Sequence, residues 1–305
     1  MNQWQRFKTS YFLYSFKRDP VAYVSFIIFM FFMLCGLLAP VISPHDPYDT
    51  ATIDIMDSEL PPAWMEEGVE RFPMGTDNQG RDLLSTMLYG LRTSMVIGIG
   101  AVAFQALAGI IVGLSAGFFG GRIDSFLMRV ADVQFSIPYL IVAIIFSAVF
   151  QIAFGVSEYE RLALPMLVVI IGVSQWPIYA RTVRASVLGE KNKEYVEAAR
   201  VIGLSRRIIM FKHILPNTLT PVLVISTIQV SQAILSEAAL SFLGLGMPIS
   251  KPSLGSLIHV GFEYVFSGSW WITFFPGVLL VVLTLVIILF GDWLRDTLNP
   301  KLYKG

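Results

Sequence analysis

The stretch Glu194–Asn217, EYVEAARVIGLSRRIIMFKHILPN, is polar and basic although long apolar segments lie on both sides of it. Glu194, Glu197, Ala198, Ala199 and Arg200 are good helix formers, and Asn192 can cap the start of a helix. A short helix that runs along the membrane surface is therefore predicted here. Such an element would serve as a docking surface for another protein.

The second half of this stretch should redirect the chain toward the next apolar segment. Gly203 allows a sharp bend that a residue with a Cβ atom would resist. A second basic helix, roughly Ser205–His213, should follow, and Pro216 suits the first turn of the next long helix, where its missing N–H costs nothing. The alternative is a merely solvated basic loop, because Glu-Ala-Ala is a common helix-forming triplet.

Ionisable and polar residues inside the apolar segments form a second set of candidates. Such groups are costly in lipid and usually face the interior of a helix bundle. Glu237 is the clearest of these residues, because it lies between Leu235 and Leu240 within an apolar segment. Asp132 lies three residues after Arg129, which favours a local ion pair, and Pro138 should kink that segment. Gln105 is suited to hydrogen bonds between helices.

A Gly- and Asp-rich stretch, GTDNQGRD, precedes the second apolar segment. Asp77 can accept hydrogen bonds from its own backbone, and Gly75 and Gly80 can supply positive φ angles, so a series of turns is predicted.

The composition is that of a membrane protein, so helices that cross a bilayer must position these residues. The 305 residues are 55% hydrophobic and 14% charged, with a mean hydropathy of +0.66 and zero net charge. This excludes an ordinary soluble domain and gives no sign of nucleic-acid binding. The single Cys35 excludes an intramolecular disulfide. An all-α polytopic fold is predicted, with six transmembrane helices of about 20 residues or more. They are Val21–Ile42, Thr93–Phe118, Phe126–Phe150, Leu164–Ser186, Thr218–Leu243 and Ile272–Gly291.

The positions of Lys and Arg predict the orientation of these helices. If the N-terminus is cytoplasmic, 17 of the 22 Lys and Arg residues lie on the cytoplasmic side and only Arg71, Arg81, Arg92, Arg161 and Lys251 lie outside. Both termini are therefore expected in the cytoplasm. The predicted parts are a cytoplasmic segment (1–20), a first anchor (21–42), an extracytoplasmic loop subdomain (43–92), a five-helix core (93–291) with a cytoplasmic loop (187–217), and a cytoplasmic tail (292–305).

The spacing inside that cytoplasmic loop resembles a known family. Glu197-Ala198-Ala199, then Gly203, then Leu215-Pro216 is similar to the EAA loop of ABC-importer permeases. His213 stands where the pattern usually has Ile, and the resulting HILPN is typical of the peptide and nickel branch. Four further stretches resemble the C-type permease of dipeptide and oligopeptide importers: GTDNQGRDLLSTMLYGLRTS, MRVADVQFSIPYL, AILSEAALSFLGLG and GDWLRDTLNPKL. PPAW in the outer loop is similar to the dipeptide branch.

This resemblance implies a type I importer permease in the bacterial inner membrane. It implies a heterodimer with a second, different permease, two ABC ATPase subunits and an extracytoplasmic substrate-binding protein. The coupling helix would be Lys193–Ile202, in which Glu197 and Arg200 offer charge pairing and the two alanines between them permit close approach of the ATPase. The coupling residues would be Glu197, Ala198, Ala199, Arg200, Gly203, Leu215 and Pro216. Candidates for the translocation path or its gate would be Glu237, Asp132 and Gln105. Glu237 could contact the ligand or could pair structurally with the partner permease, and a structural or gating role is favoured. Candidates for contact with the binding protein would be Asp77, Arg81 and Asp82, a role compatible with the predicted turns. The chain contains no phosphate-binding loop of the G-x-x-x-x-G-K-[ST] type, so ATP hydrolysis is expected from the partners, and neither a cofactor nor a metal is expected.

The sequence leaves the transported ligand open. Di- and oligopeptides are favoured, with nickel chelates, glutathione and oligosaccharides as alternatives within the same transporter type. An intramembrane enzyme or a receptor is disfavoured, because the three histidines lie in loops or near span ends and neither class explains the EAA spacing.

Overall fold

A computed structural model of the protein describes residues 11–49, 51 and 53–298, and within these residues the chain is mostly helical and forms no β-strand. Residues 1–10 and 299–305 lie outside the described residues. They include four of the charges used to predict the orientation: Arg6, Lys8, Lys301 and Lys304.

Twelve helices are described in chain order, and four of them, near the N-terminus or in the loop before α10, have eight residues or fewer. They are α1 (Tyr11–Arg18), α2 (Pro20–Leu37), α3 (Ala39–Ile42), α4 (Leu83–Phe119), α5 (Gly121–Phe135), α6 (Tyr139–Gly155), α7 (Glu158–Glu190), α8 (Glu194–Val201), α9 (Arg206–Ile208), α10 (Leu215–Phe242), α11 (Leu254–Tyr264) and α12 (Trp271–Leu298). Short 3-10 turns lie at Ile55–Asp57 and Val265–Ser267.

The hydropathy predicted six membrane-crossing segments, and the structure has five or six that are long and apolar enough. Within the described residues, five helical runs are long and apolar enough to cross a bilayer: α2, α4, α7, α9 with α10, and α12. The bent pair α5 and α6 could form a sixth. One boundary differs clearly, because α4 begins at Leu83 and not near Thr93, so the end of the predicted outer loop is helical.

The predicted third span, Phe126–Phe150, is wrong as a single helix. The chain breaks between Phe135 and Tyr139, and α5 and α6 meet at an angle of 86°. Pro138 lies in this break, where a residue without a backbone N–H and with fixed φ ends helical hydrogen bonding. Gly155, with φ 75° and ψ 171°, then separates α6 from α7.

The centre of the bundle is α4 packed closely against α7. Glycines of α4 face α7 at three successive turns, and a Cβ atom built on Gly109 would lie 2.2 Å from Cβ of Tyr179. Small residues that let two helix backbones approach closely are typical of helix pairs in membranes. The two helices therefore form a tight pair, onto which α10 also packs. The bundle end with residues 43–82 and α11 is called the loop side, and the opposite end is called the α8 side.

Candidate functional site

The helix α8 lies against the bundle by one face. Val196 and Ala199 are buried and belong to a cluster of apolar side chains that includes Ile209, Met210 and Ile214. The spacing of three residues places Val196 and Ala199 on the same side of the helix. Burial of these two side chains fixes the orientation of α8, and so determines which of its faces point away from the bundle.

The opposite face of α8 is open. Glu197 and Ala198 are exposed, and Val201 and Ile202 are 88% and 76% exposed. Among the described residues, the Glu197 carboxylate has neither an ion pair nor a hydrogen-bond donor. Exposed aliphatic side chains beside an unpaired charge are a feature of protein-binding surfaces.

Gly203 ends α8 in the way its sequence position suggested. Its φ is +79°, the Gly203 N–H donates to the Arg200 carbonyl, and the Leu204 N–H donates to the Ala199 carbonyl over 3.1 Å. This pair of bonds is the Schellman arrangement, which uses a left-handed residue to satisfy the last helical carbonyls. The prediction that Asn192 caps the start of α8 is wrong, because the N-cap is Lys193, which makes no side-chain cap.

Three polar residues that the sequence did not single out attach α8 to its neighbours. The Tyr195 hydroxyl donates to the Glu190 carboxylate over 2.5 Å, and Asn217 Nδ2 donates to the Tyr195 hydroxyl oxygen over 3.1 Å. Burial raises the pKa of Tyr195, and the adjacent Glu190 carboxylate raises it further, so the phenol keeps the proton it donates. The ends of α7, α8 and α10 therefore meet at one hydrogen-bonded point. In the sequence, the only indication of this contact is that an aromatic residue, Tyr195, and an amide residue, Asn217, lie close to the EAA spacing.

The segment after Gly203 differs from the predicted second helix. Ser205 accepts from the Ile208 N–H at the start of α9, but α9 continues through a π-helical turn, Ile209–Ile214, directly into α10. Leu215 is half-buried against the bundle and Pro216 is exposed in the first turn of α10. Because Pro216 has no N–H and crowds the preceding turn, a wider turn just before it keeps the helix continuous. The two short helices are thus not a separate unit.

Glu237 lies fully buried at the loop side, where α10 meets α4 and α11. The Ser94 hydroxyl donates to Glu237 Oε2 over 2.9 Å, and the Ser241 hydroxyl donates to Oε1 over 2.6 Å. Ser94 Oγ also accepts from the Leu254 N–H at the start of α11. With no exposed surface, Glu237 joins three helices within this chain.

Gln105 lies at the middle of the bundle in a second buried network. Its amide donates to the Ile171 carbonyl over 3.3 Å, and Gln229 donates to both Gln105 and Gln175. These glutamines connect α4, α7 and α10. The hydrogen bonds between helices are as expected, and the full burial of Gln105 places its side chain away from any open path in this conformation.

The predicted local pair between Arg129 and Asp132 is wrong. Asp132 instead accepts from Arg181 of α7 over 2.7 Å, and Asp124 accepts from both Nε and a terminal nitrogen of Arg184 over 2.5 and 2.7 Å. These pairs attach α5 to α7 at the α8 side. Asp132 and Asp124 pair with α7 and not within α5, because Arg181 and Arg184 of α7 lie within hydrogen-bond distance of them.

The turn prediction for the loop side agrees with the geometry. Asp77 accepts from the backbone N–H groups of Gln79 and Arg81 and from the Arg81 side chain, and Asp82 caps α4 through the Ser85 N–H. Asp77, Arg81 and Asp82 are 0%, 3% and 3% exposed, so in this structure they fold the loop. Their contact with a binding protein stays a prediction.

Comparison with known proteins identifies two families whose models match this chain. The family described as binding-protein-dependent transport system inner membrane component matches residues 109–304, and the family described as N-terminal TM domain of oligopeptide transport permease C matches residues 3–62. A di/tripeptide transport system permease of Pseudomonas aeruginosa is 35% identical over 94% of this chain and 90% of that protein. An oligopeptide transport system permease of Bacillus subtilis is 34% identical over 95% of this chain and 88% of that protein.

A solved structure shows the same fold. Inward-facing MetNI methionine ABC transporter superposes with a TM-score of 0.55 at 22% identity, over 70% of this chain and 97% of the matched chain. The fold is thus that of a type I ABC importer permease. The chain belongs to the family of binding-protein-dependent transport system inner membrane components. It is a multi-pass membrane protein of a transport system and not an enzyme.

Proposed function

We propose that this chain is one permease subunit of an ATP-driven importer of di- and oligopeptides. The substrate class rests on its relatives, which are named as di/tripeptide, dipeptide and oligopeptide permeases. The observation that carries the coupling role is the exposed face of α8, which is held rigidly to α7 and α10 through Tyr195, Glu190 and Asn217.

In the proposed cycle, α8 transmits movement between an ATPase and the bundle. Two ABC ATPase subunits bind on the cytoplasmic side, and α8 inserts its exposed face into one of them. Closure of the ATPases around ATP moves α8, and the movement passes to α7 and α10 because these helices share hydrogen bonds with it. The permease then alternates between inward- and outward-facing states, and an extracytoplasmic binding protein delivers the peptide to the loop side.

The second permease subunit is proposed to cover apolar surface that this chain leaves open. The helix α6 exposes Ile141, Ile145 and Val149, and Ile152 is 85% exposed. These side chains fall at intervals of three and four residues and so form a stripe. In the bilayer such a stripe can contact either lipid or another helix. A heterodimer with a different permease accounts for it together with the family membership.

A charge reversal on α8 tests the coupling role. Glu197→Lys would replace an exposed, unpaired carboxylate by an ammonium group, which opposes any cation that the ATPase presents to it. We expect the variant to insert normally but to lose co-purification with the ATPase subunits, or ligand-stimulated ATP hydrolysis, by about tenfold or more. Glu66→Lys, an equally exposed reversal at the loop side, is the matched control and should retain both. Wild-type docking and stimulated hydrolysis in Glu197→Lys would contradict the proposal.

A further inference from the structure

A cavity of about 490 Å³ opens at the loop side between α4, α7 and two connecting segments. Tyr89, Arg92 and Thr93 of α4 form one wall, and Glu160 and Arg161 at the start of α7 form another. Tyr48 contributes from the segment after α3, and Lys251 contributes from the segment before α11. The volume lies in the range of about 300–1,000 Å³ that small-molecule sites occupy.

Three cations line this cavity. Among the described residues, the side chains of Arg92, Arg161 and Lys251 make neither an ion pair nor a hydrogen bond. The two other cations of the loop side are used elsewhere: Arg81 binds Asp77 over 2.7 Å, and Arg71 lies 3.9 Å from Asp57. All the unpaired cations expected on this side of the membrane therefore face one space.

These cations favour an anion in the cavity. Like charges that line one concave site repel each other, although water screens exposed groups, and together they raise the local concentration of anions. Glu160 lines the same cavity and also lacks an ion pair among the described residues, so the lining carries a net charge of about +2. A ligand with one or more carboxylates would relieve the repulsion between the cations, and a ligand that also has an ammonium group could pair with Glu160.

We propose that this cavity is a peptide-carboxylate site, in which Arg161 and Lys251 bind the C-terminal carboxylate and Glu160 binds the N-terminal ammonium group. The inference rests on the proposed peptide-import function and adds a site within the permease itself. Tyr48 and Tyr89 meet edge to face with ring centroids 5.1 Å apart, which gives the cavity an aromatic wall for a peptide side chain. A concave site with both charge signs fits a small zwitterion better than it fits the broad surface of a docking protein.

The test measures direct binding to the assembled importer in lipid nanodiscs, without the binding protein. Calorimetric titration compares the dipeptide Ala-Phe with Ala-Phe amide, which has no C-terminal charge. We expect the amide to bind about tenfold more weakly or worse, since a charge-assisted hydrogen bond contributes about that factor. Arg161→Gln and Lys251→Gln should each weaken Ala-Phe binding by a similar factor and reduce the preference over the amide. Arg71→Gln, which removes a loop-side cation outside the cavity, is the matched control and should bind like the wild type.

Several results would overturn the proposal. They are the absence of Ala-Phe binding to the wild-type importer, equal affinity for the dipeptide and its amide, and undiminished binding in both variants. A loss confined to docking of the binding protein would assign the cations to that protein's acidic surface instead. Arg161→Lys keeps the charge and should retain binding. If Arg161→Lys lost binding as Arg161→Gln does, the loss would be due to misfolding and not to the missing charge. That result would also overturn the proposal. ATP-driven uptake of Ala-Phe by the wild type is measured separately: if uptake occurs without this site, only the present inference fails.

Discussion

Glu237 is a carboxylate with no exposed surface inside a membrane protein, and its surroundings explain how it is tolerated. An unpaired buried carboxylate is strongly unfavourable, whereas one that accepts hydrogen bonds is much less so. Ser94 and Ser241 donate to its two oxygens, and the Ser253 hydroxyl lies 3.3 Å from that of Ser241. The hydroxyls come from α4, from α10 and from the N-cap of α11. Glu237 therefore stabilises the junction of these helices at the loop side.

This position predicts a graded response to substitution. Glu237→Gln keeps the shape and one carbonyl acceptor, so the assembled transporter should lose little stability. Glu237→Leu removes every acceptor and leaves the Ser94 and Ser241 hydroxyls without it, which costs about 1–3 kcal/mol for each buried group left unsatisfied. The measurement is the thermal unfolding midpoint of the purified complex. Neither variant should change which peptides are transported, because the side chain is fully buried. Equal midpoints for Glu237→Leu and the wild type, or an altered peptide preference, would contradict this role.

At the scale of the helices, the sequence located the apolar segments in order but did not give their directions. A window of apolar residues measures whether a segment can lie in lipid, and it is blind to the 86° turn between α5 and α6. Similarly, spacing along one helix favours the pair of Arg129 with Asp132, whereas the preferred partner, Arg181, lies 49 positions away. Contacts of this kind depend on how helices pack and cannot be deduced from spacing alone.

The α8 end shows the opposite case, in which the local sequence was informative. The glycine in the EAA spacing predicted a bend, and Gly203 has the left-handed φ of +79° that closes the helix. What the sequence could not provide is the attachment of α8 through Tyr195 and Asn217, because those contacts form only when α7 and α10 lie side by side. The bend is a property of one residue, and the attachment is a property of three elements.

A pair of substitutions at Gly203 isolates the effect of backbone conformation. A Cβ atom at this position meets nothing within 4 Å, so any loss must come from the positive φ and not from a clash. Gly203→Val should cost about 1–3 kcal/mol in local strain and misalign α8, with loss of ligand-stimulated ATP hydrolysis in reconstituted membranes. Gly203→Asn should retain most of it, since Asn adopts left-handed conformations more readily than other residues with a side chain. If both variants behaved alike, the bend would not be what aligns α8.

At the scale of the whole molecule, one continuous helical run connects the α8 side with the loop side. The continuous run Arg206–Phe242 begins beside α8 and contains Glu237 near its other end, and at about 1.5 Å per residue it extends roughly 55 Å. Midway, Gln229 of this run hydrogen-bonds to Gln175 of α7 and to Gln105 of α4. Buried amide pairs of this kind resist sliding of one helix along another. Movement of α8 is thus expected to reach the loop side as motion of the packed helices α4, α7 and α10 together.

The orientation of the molecule provides the last prediction, and it also decides whether the bent pair α5 and α6 crosses the membrane. The excess of Lys and Arg on the α8 side predicts that this side is cytoplasmic. A reporter fused after Lys304 or inserted at Gly120 should be cytoplasmic, and one inserted near Glu66 should be extracytoplasmic, as measured by paired phosphatase and fluorescent-protein fusions.

A fusion at Gly155, between α6 and α7, should be extracytoplasmic if α5 and α6 together form one crossing. A cytoplasmic reporter at Gly155 would make the pair a re-entrant segment. Reporters at Glu66 and after Lys304 on the same side would refute the six-span topology, because an even number of crossings places both termini together and the first loop opposite them.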